Sequence, residues 1–452
     1  MNPSRTSGAL LLLALLLAAR PAPGADDHTP APEGTPATPV VTTAELLGIA
    51  EQYQQEIERL EIELGPLAAR LGEQLQSQGR VYQQLQDHAR AVEALKRAYH
   101  IKRVNDGLQD LGQVPILQDI IESNIALQDW PAVNQNFEQL LWIYRRNYEE
   151  GDQALLSIYD QVGRWKIQAY REELLDGDDY DTISEAAYLF SKTIELTEDK
   201  VGKNDPRLVD LLYGHALANY HAMIEYANRP LDQYVSRQAT GTVTYIQRCV
   251  PIRLPNGRVA TQCYAVPVMN VGAYTRAQDE KDLDVERRFL AARKSLQRIV
   301  AIHDAHPEIP AQERAEALAH LGDWFMLRGS TGTAMEHYQK AWQMLGTMPD
   351  GASRQQAMFG APVALPALRL SLPSVDQQLA PEDPAGYITI TYDVTKSGRV
   401  RNTAISDTGA GADTPMRRKA LESLRSSKFR PRLDNGVAVD TFGAVKRYPI
   451  RK

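Results

Sequence analysis

The sequence predicts a multidomain chain: an all-α helical array with a β-hairpin insertion, followed by a small α+β domain at the C-terminus. Three observations predict it. Apolar residues recur at helical spacing from Ala44 to about Tyr148, in paired segments broken by polar turns, at the start of an array read over 44–348. Two β-type runs flank a Pro-Asn-Gly triplet between Gly241 and Val271. The last 68 residues, Ala385 to Lys452, begin with strict alternation and contain one short helix.

Within the array, Leu60, Leu64, Leu67 and Leu71 show the apolar stripe. Gly79, Tyr82, Ala91, Leu95 and Ala98 form a pattern that returns at the same offsets as Gly322, Phe325, Ala334, Tyr338 and Ala341. Small residues suit close helix crossings, aromatics fill the gaps between turns, and Gly329 is expected in the turn between two helices. A weaker copy has Asn124, Asp129-Trp130, Val133, Phe137 and Leu140 in register; another has Ala186, Phe190, Thr193 and Ile194. Leu211 to Tyr220 reads as the first helix of a further unit. Over most of 72–348 this pattern resembles the tetratricopeptide repeat, which implies stacked pairs of antiparallel helices and a protein or peptide partner.

The insertion, 241–271, reads as a hairpin. Pro255-Asn256-Gly257 suits a three-residue loop with Gly in the left-handed conformation. Closing it with Leu254 opposite Arg258 sets Cys249 opposite Cys263, the only cysteines, so a disulfide is expected in an exported chain. Residues 349–384 are interrupted by Pro and Gly and read as a linker.

The C-terminal unit, 385–452, reads strand, Lys396-Ser397-Gly398 turn, strand, then a helix capped by Thr414 with Pro415 at its first position. Lys428 to Arg432 and Ala444 to Ile450 follow as strands. Gly386, Ile388, Ile390, Tyr392, Asp393-Val394 and Gly398-Arg399-Val400 open the unit; Phe429-Arg430-Pro431 and Tyr448-Pro449-Ile450 close it. In that order these motifs resemble the TonB C-terminal domain family. The resemblance implies a small sheet whose edge accepts an extended peptide by strand addition, at Ala444, Val445, Lys446, Arg447, Tyr448, Pro449 and Ile450. It also implies an alternative, a TonB-type energy transducer anchored by an uncleaved N-terminal segment. Family transducers carry a membrane anchor, a long Pro-rich spacer and often a Tyr-Pro motif before the domain. Here Leu372-Pro373-Ser374-Val375 stands in that position and a helical array replaces the spacer.

Residues 1–24 read as a signal peptide: Arg5, an apolar run from Ala9 to Ala19, and Ala22-Pro23-Gly24 before the cut. That run is too short to span a bilayer, so no stable span is expected after cleavage. Residues 25–43 read as an acidic, Pro-rich tether. The location expected is the periplasm of a Gram-negative bacterium. Net charge is -7, but residues 385–452 hold 14 Lys+Arg against 6 Asp+Glu, while 26–384 hold 34 against 51. A basic face is expected from Arg417, Arg418, Lys419, Arg425, Lys428, Arg430 and Arg432, directed at an acidic partner or at the array itself. No catalytic constellation, cofactor loop or nucleic-acid motif stands out. His303 and His306 with Glu308 are too few for a tight metal site, and His215 and His221 read as packed or surface residues. The function expected is a non-catalytic periplasmic scaffold whose array and terminal domain bind different envelope proteins.

Overall fold

The computed structural model describes residues 42–176, 179–231, 243–269, 271–368, 370, 372–378, 386–408 and 413–449. The signal-peptide assignment and all but two residues of the tether lie outside the described residues. Helix α1, Thr43–Leu64, starts with a reciprocal capping box between Thr42 and Glu45. Five antiparallel pairs follow: α2 (Ala69–Gln84) with α3 (His88–Asp106), α4 (Val114–Ala126) with α5 (Trp130–Asn147), α6 (Gln153–Arg171) with α7 (Asp179–Val201), α8 (Leu208–Asn228) with α9 (Val271–Ala305), and α10 (Ala311–Leu327) with α11 (Thr331–Gly346). Helix α12, Gly351–Phe359, packs on the last pair.

The repeated residues do what their sizes predict. A Cβ on Gly79 would lie 2.6 Å from Leu95, and one on Gly322 2.6 Å from Tyr338, so each glycine lets its partner side chain enter the crossing. In the third and fourth pairs the buried ring of Phe190 lies against Gly163 and Gly214. Four intra-pair turns share one geometry, with Gln86, Gln128, Glu173 and Gly329 left-handed at φ 60°, 58°, 54° and 79°. In each, the next residue donates its N–H back to a carbonyl five positions earlier: Asp87 to Tyr82, Asp129 to Asn124, Leu174 to Ala169, Ser330 to Phe325, at 2.9–3.0 Å. Only Gly329 takes this conformation without strain. Gln86→Gly is therefore expected to stabilise the array by up to about 1 kcal/mol, read as a higher urea midpoint at unchanged slope.

Strands β1 (Val243–Arg253) and β2 (Val259–Met269) form the inserted hairpin between α8 and α9, longer than the alternating runs alone indicate. Gly257 has φ +79°, Leu254 and Arg258 close the loop, and Cys249 faces Cys263 in a disulfide. The hairpin's described side chains are mostly exposed, Val259 and Tyr264 among them.

The C-terminal unit comprises β4 (Tyr387–Val394), β5 (Val400–Thr408), α13 (Thr414–Ser426), β6 (Phe429–Arg430), β7 (Arg432–Asp434), β8 (Val437–Val439) and β9 (Thr441–Pro449). For the helix of this unit, Asp413 rather than Thr414 is the cap, accepting from the Met416 N–H at 2.8 Å. The main sheet has order β5-β4-β9. Ile388, Ile390, Tyr392 and Val394 form its buried face with Ala420, Leu424 and Phe429. A second hairpin, β7–β8, turns at Asn435-Gly436 with both residues left-handed. This pair is the strongest short hairpin signal a sequence carries, and the sequence expectations did not include it.

The segment 349–384 differs most from expectation. Its described part is packed instead of being a free linker. Besides α12, it contains the two-residue strand β3 (Val363–Ala364), paired antiparallel with β6, and a short helix, Pro373–Gln378, packed on α4. Leu365, Leu368, Leu370 and Val375 are all buried. Pro and Gly break regular structure, but apolar side chains still bury where a surface is ready for them.

Candidate interaction surfaces

The C-terminal unit is docked on the array through a buried ion pair. Arg430, at the end of β6, donates to Asp323 of α10 twice, Nε to Oδ1 at 2.8 Å and Nη2 to Oδ2 at 2.6 Å. Both side chains are nearly sealed from water, at 6% and 4% exposure. Tyr338 of α11 donates its hydroxyl to the same Oδ1 at 2.9 Å. Burial, and after it the Asp323 charge, holds that phenol protonated well above its ordinary range. The guanidinium also lies 5.5 Å from the ring of Phe359 and 5.9 Å from that of Tyr338. Around this pair, Leu433 joins the apolar cluster of α10, α11 and α12, and Gly436 abuts Trp342. Sequence reading placed Arg430 on a solvated basic face; the structure corrects this. The partner carboxylate lies 107 residues upstream, beyond the reach of any local pattern.

The other basic residues divide. Arg418, Lys419 and Arg425 are exposed, whereas Arg417, Lys428 and Arg432 are half-buried. Arg425 donates to Thr403 at 3.0 Å. A continuous basic face of seven residues is therefore absent, although three charges on the helix α13 stay in water.

Downstream of Val363–Ala364 the described residues, 365–368, 370 and 372–378, form a strap along the first helices of successive pairs. The Leu365 N–H bonds the Lys428 carbonyl at 2.9 Å. Ala367 faces Ala319 and His320 of α10, and Leu368 faces Tyr213 of α8 and His320. Leu370 joins the α8–α10 core cluster, while Leu372 and Val375 join the cluster built from α4, α5 and α6. Finally, Gln128, in the α4–α5 turn, donates to the Gln378 carbonyl at 3.2 Å. The strap crosses the array against the order of its repeats.

The strand edge expected at 444–450 is an edge among the described residues. Strand β9 pairs only with β4, in register Ile388↔Tyr448 and Tyr392↔Ala444. Ala444 and Tyr448 turn toward the core of the unit, while Val445 and Phe442 are exposed at 57% and 75%. Ile450 lies outside the described residues. Beside the edge, a cleft of about 310 Å³ opens between the sheet and α13, lined by Ile388, Met416, Ala420 and Tyr448, with Lys419 at its rim. An apolar slot next to an unpaired strand can take a side chain of an added strand.

His303 and His306 have separate surroundings. His306 contacts Glu308 at 2.7 Å and the Asn204 carbonyl at 2.9 Å, whereas His303 is buried one turn earlier. No group of three or more metal-ligating side chains occurs among the described residues. His215 contacts Ser295 at 2.8 Å, and His221 lies between the rings of Tyr170 and Tyr220. No helix among the described residues is long and apolar enough to cross a membrane.

No protein-family model matches the chain, and no curated protein matches it. Among solved structures, a Podosopora anserina kinesin light chain of nearly identical TPR-like repeats is similar at 13% identity, covering 62% of this chain and 96% of that one, with TM-score 0.36. A single-substitution form of that protein gives the same identity and TM-score, with 95% of that chain covered. BtubC (BKLC) from P. vanneervenii is similar at 12% identity, covering 68% of this chain and 94% of that one, with TM-score 0.33. The array is TPR-like in its own right, by its repeated helix pairs, in-register glycines and shared turns.

Proposed function

We propose that the protein is a non-catalytic scaffold of the cell envelope, exported to the periplasm of a Gram-negative bacterium, which joins envelope proteins through its TPR-like array and its TonB-like terminal unit. The observation that carries this reading is the β9 edge: a strand unpaired on its outer side among the described residues, flanked by an apolar cleft, in a unit tied to the array by the Arg430–Asp323 pair. The Cys249–Cys263 bond supports an oxidising compartment. The TonB likeness rests on the sequence motifs quoted above.

Two measurements test the reading. Osmotic shock should release the chain, processed near Gly24, with the periplasmic fraction; recovery of the full-length chain in washed inner membranes would favour the anchored transducer instead. A photo-crosslinking residue at Val445 should capture a defined envelope protein, and Phe442→Lys, which places a charge beside the edge, should abolish the capture while leaving circular dichroism unchanged. The same adducts from a crosslinker at Ile62, an exposed position on α1, would show that the edge has no special role.

A further inference from the structure

We infer that the described residues of the segment 365–378 (365–368, 370 and 372–378) are a built-in competitor for the array's own binding groove. An external partner, a peptide carrying leucine or valine at the strap's spacing, enters only by displacing them, and displacement loosens the docked terminal unit. The inference deepens the scaffold reading and rests on it.

The strap is held as a bound peptide would be held. Leu368, Leu370 and Val375 are 8%, 6% and 0% exposed, seated on helices separated from the strap by up to about 250 residues of sequence. Beyond the pairing of Val363–Ala364 with β6, no strand ladder ties it to the array among the described residues. Side-chain burial holds it, together with single polar contacts such as Gln128 to Gln378. Such a segment can leave without breaking regular structure. The surface beneath it, made by first helices of successive repeats, stays intact because the strap supplies only Leu368, Leu370 and Val375 to the two buried clusters otherwise built by the array's own helices.

Its two ends couple different sites. Upstream, Val363–Ala364 pairs with Phe429–Arg430, and Arg430 is the residue that holds Asp323. Downstream, Val375 sits among α4, α5 and α6. Displacing the strap pulls on the strand that backs the ion pair, so groove binding and docking of the terminal unit are linked, and linkage is reciprocal. A short tether holds its segment at an effective concentration on the order of 1 mM. If the tethered segment has an intrinsic Kd of about 10 μM, any peptide competing for the same groove binds roughly 100-fold more weakly than it would to the open groove.

The test uses the full chain and a fluorescein-labelled synthetic peptide of residues 363–378. Binding is read by anisotropy for the wild type and for the variant Leu368→Asp/Leu370→Asp/Val375→Asp. Should that variant not fold, Leu368→Ala/Leu370→Ala carries the same comparison. The peptide should bind the variant at least about 30-fold more tightly than the wild type. Amide exchange at Leu365, whose N–H bonds the Lys428 carbonyl, and at Arg430 should be faster in the variant and, in the wild type, should rise with saturating peptide. Equal affinity for both chains overturns the competitor and leaves a groove that accepts peptides. Binding to neither overturns the groove assignment. A concentration-dependent dimer, with the strap of a second copy in the groove, replaces the external peptide with another copy and overturns the partner named here. Crosslinking at Val445 reads the scaffold function separately, so failure of one does not imitate failure of the other.

Discussion

Arg430→Met is expected to destabilise the protein by about 3–5 kcal/mol, because it leaves the Asp323 carboxylate buried without its cation. A surface ion pair would cost a tenth of that. What separates the cases is the enclosure of both groups and the shared acceptor, since Tyr338 also donates to Asp323. Asp323→Leu should be comparably harmful, as it strands both the guanidinium and the phenol. The double variant Asp323→Leu/Arg430→Met should recover most of the loss, since an apolar pair of similar volume needs no desolvation of charge. Denaturant titrations of the four proteins close the cycle. If Arg430→Met costs under about 1 kcal/mol, the docking of the terminal unit does not hold in solution.

Acid is expected to weaken the fold as pH falls from about 6.5 toward 4. Burial first, then Arg288 and Arg298, pushes His215 down to about 4. Burial, then Arg171, pushes His221 down to about 3. Both folded-state values lie below the ordinary 6.5, so the unfolded chain takes up protons in a range where the folded chain does not. The stability from keeping these rings neutral is complete above 6.5 and lost as pH falls through the window, on the order of 2–3 kcal/mol for each ring. His306 acts in the opposite sense: its bond to Glu308 raises it, so its contribution is present at low pH and lost as pH rises. It lies on the surface and does not offset the buried pair. His215→Asn keeps a polar partner for Ser295 and removes one titration. The stability difference between pH 7 and pH 4.5 should shrink by about 2 kcal/mol in this variant, measured by urea unfolding at each pH. An unchanged pH profile would show that His215 is open to water.

What the sequence disclosed followed the range of each interaction. Gly79 with Leu95 and Gly322 with Tyr338 are sixteen residues apart within one helix pair, so their spacing was readable. The Cys249–Cys263 register follows from a loop of a few residues and was readable for the same reason. Arg430 meets Asp323 across 107 residues and looked like one more surface cation. The strap was hidden differently: Pro366 and Pro373 suggested a linker, yet Leu365, Leu368, Leu370 and Leu372 are more apolar than a solvated linker needs. That excess was the available signal. The Asn435-Gly436 hairpin was equally readable and was overlooked because the strands beside it are only three residues long.

Synthesis from the N-terminus gives the strap a further consequence. The helix pairs from α2 to α11 are local in sequence and can close one after another as the chain emerges, N-terminus first, into the compartment where it folds. The strap follows them, and its contact between Gln128 and Gln378 spans 250 residues, so it forms after the surface it covers. Until the strap arrives, the emerging array stands with that apolar surface uncovered. The nascent chain is then exposed to chaperones or to premature partners, and the completed chain seals itself.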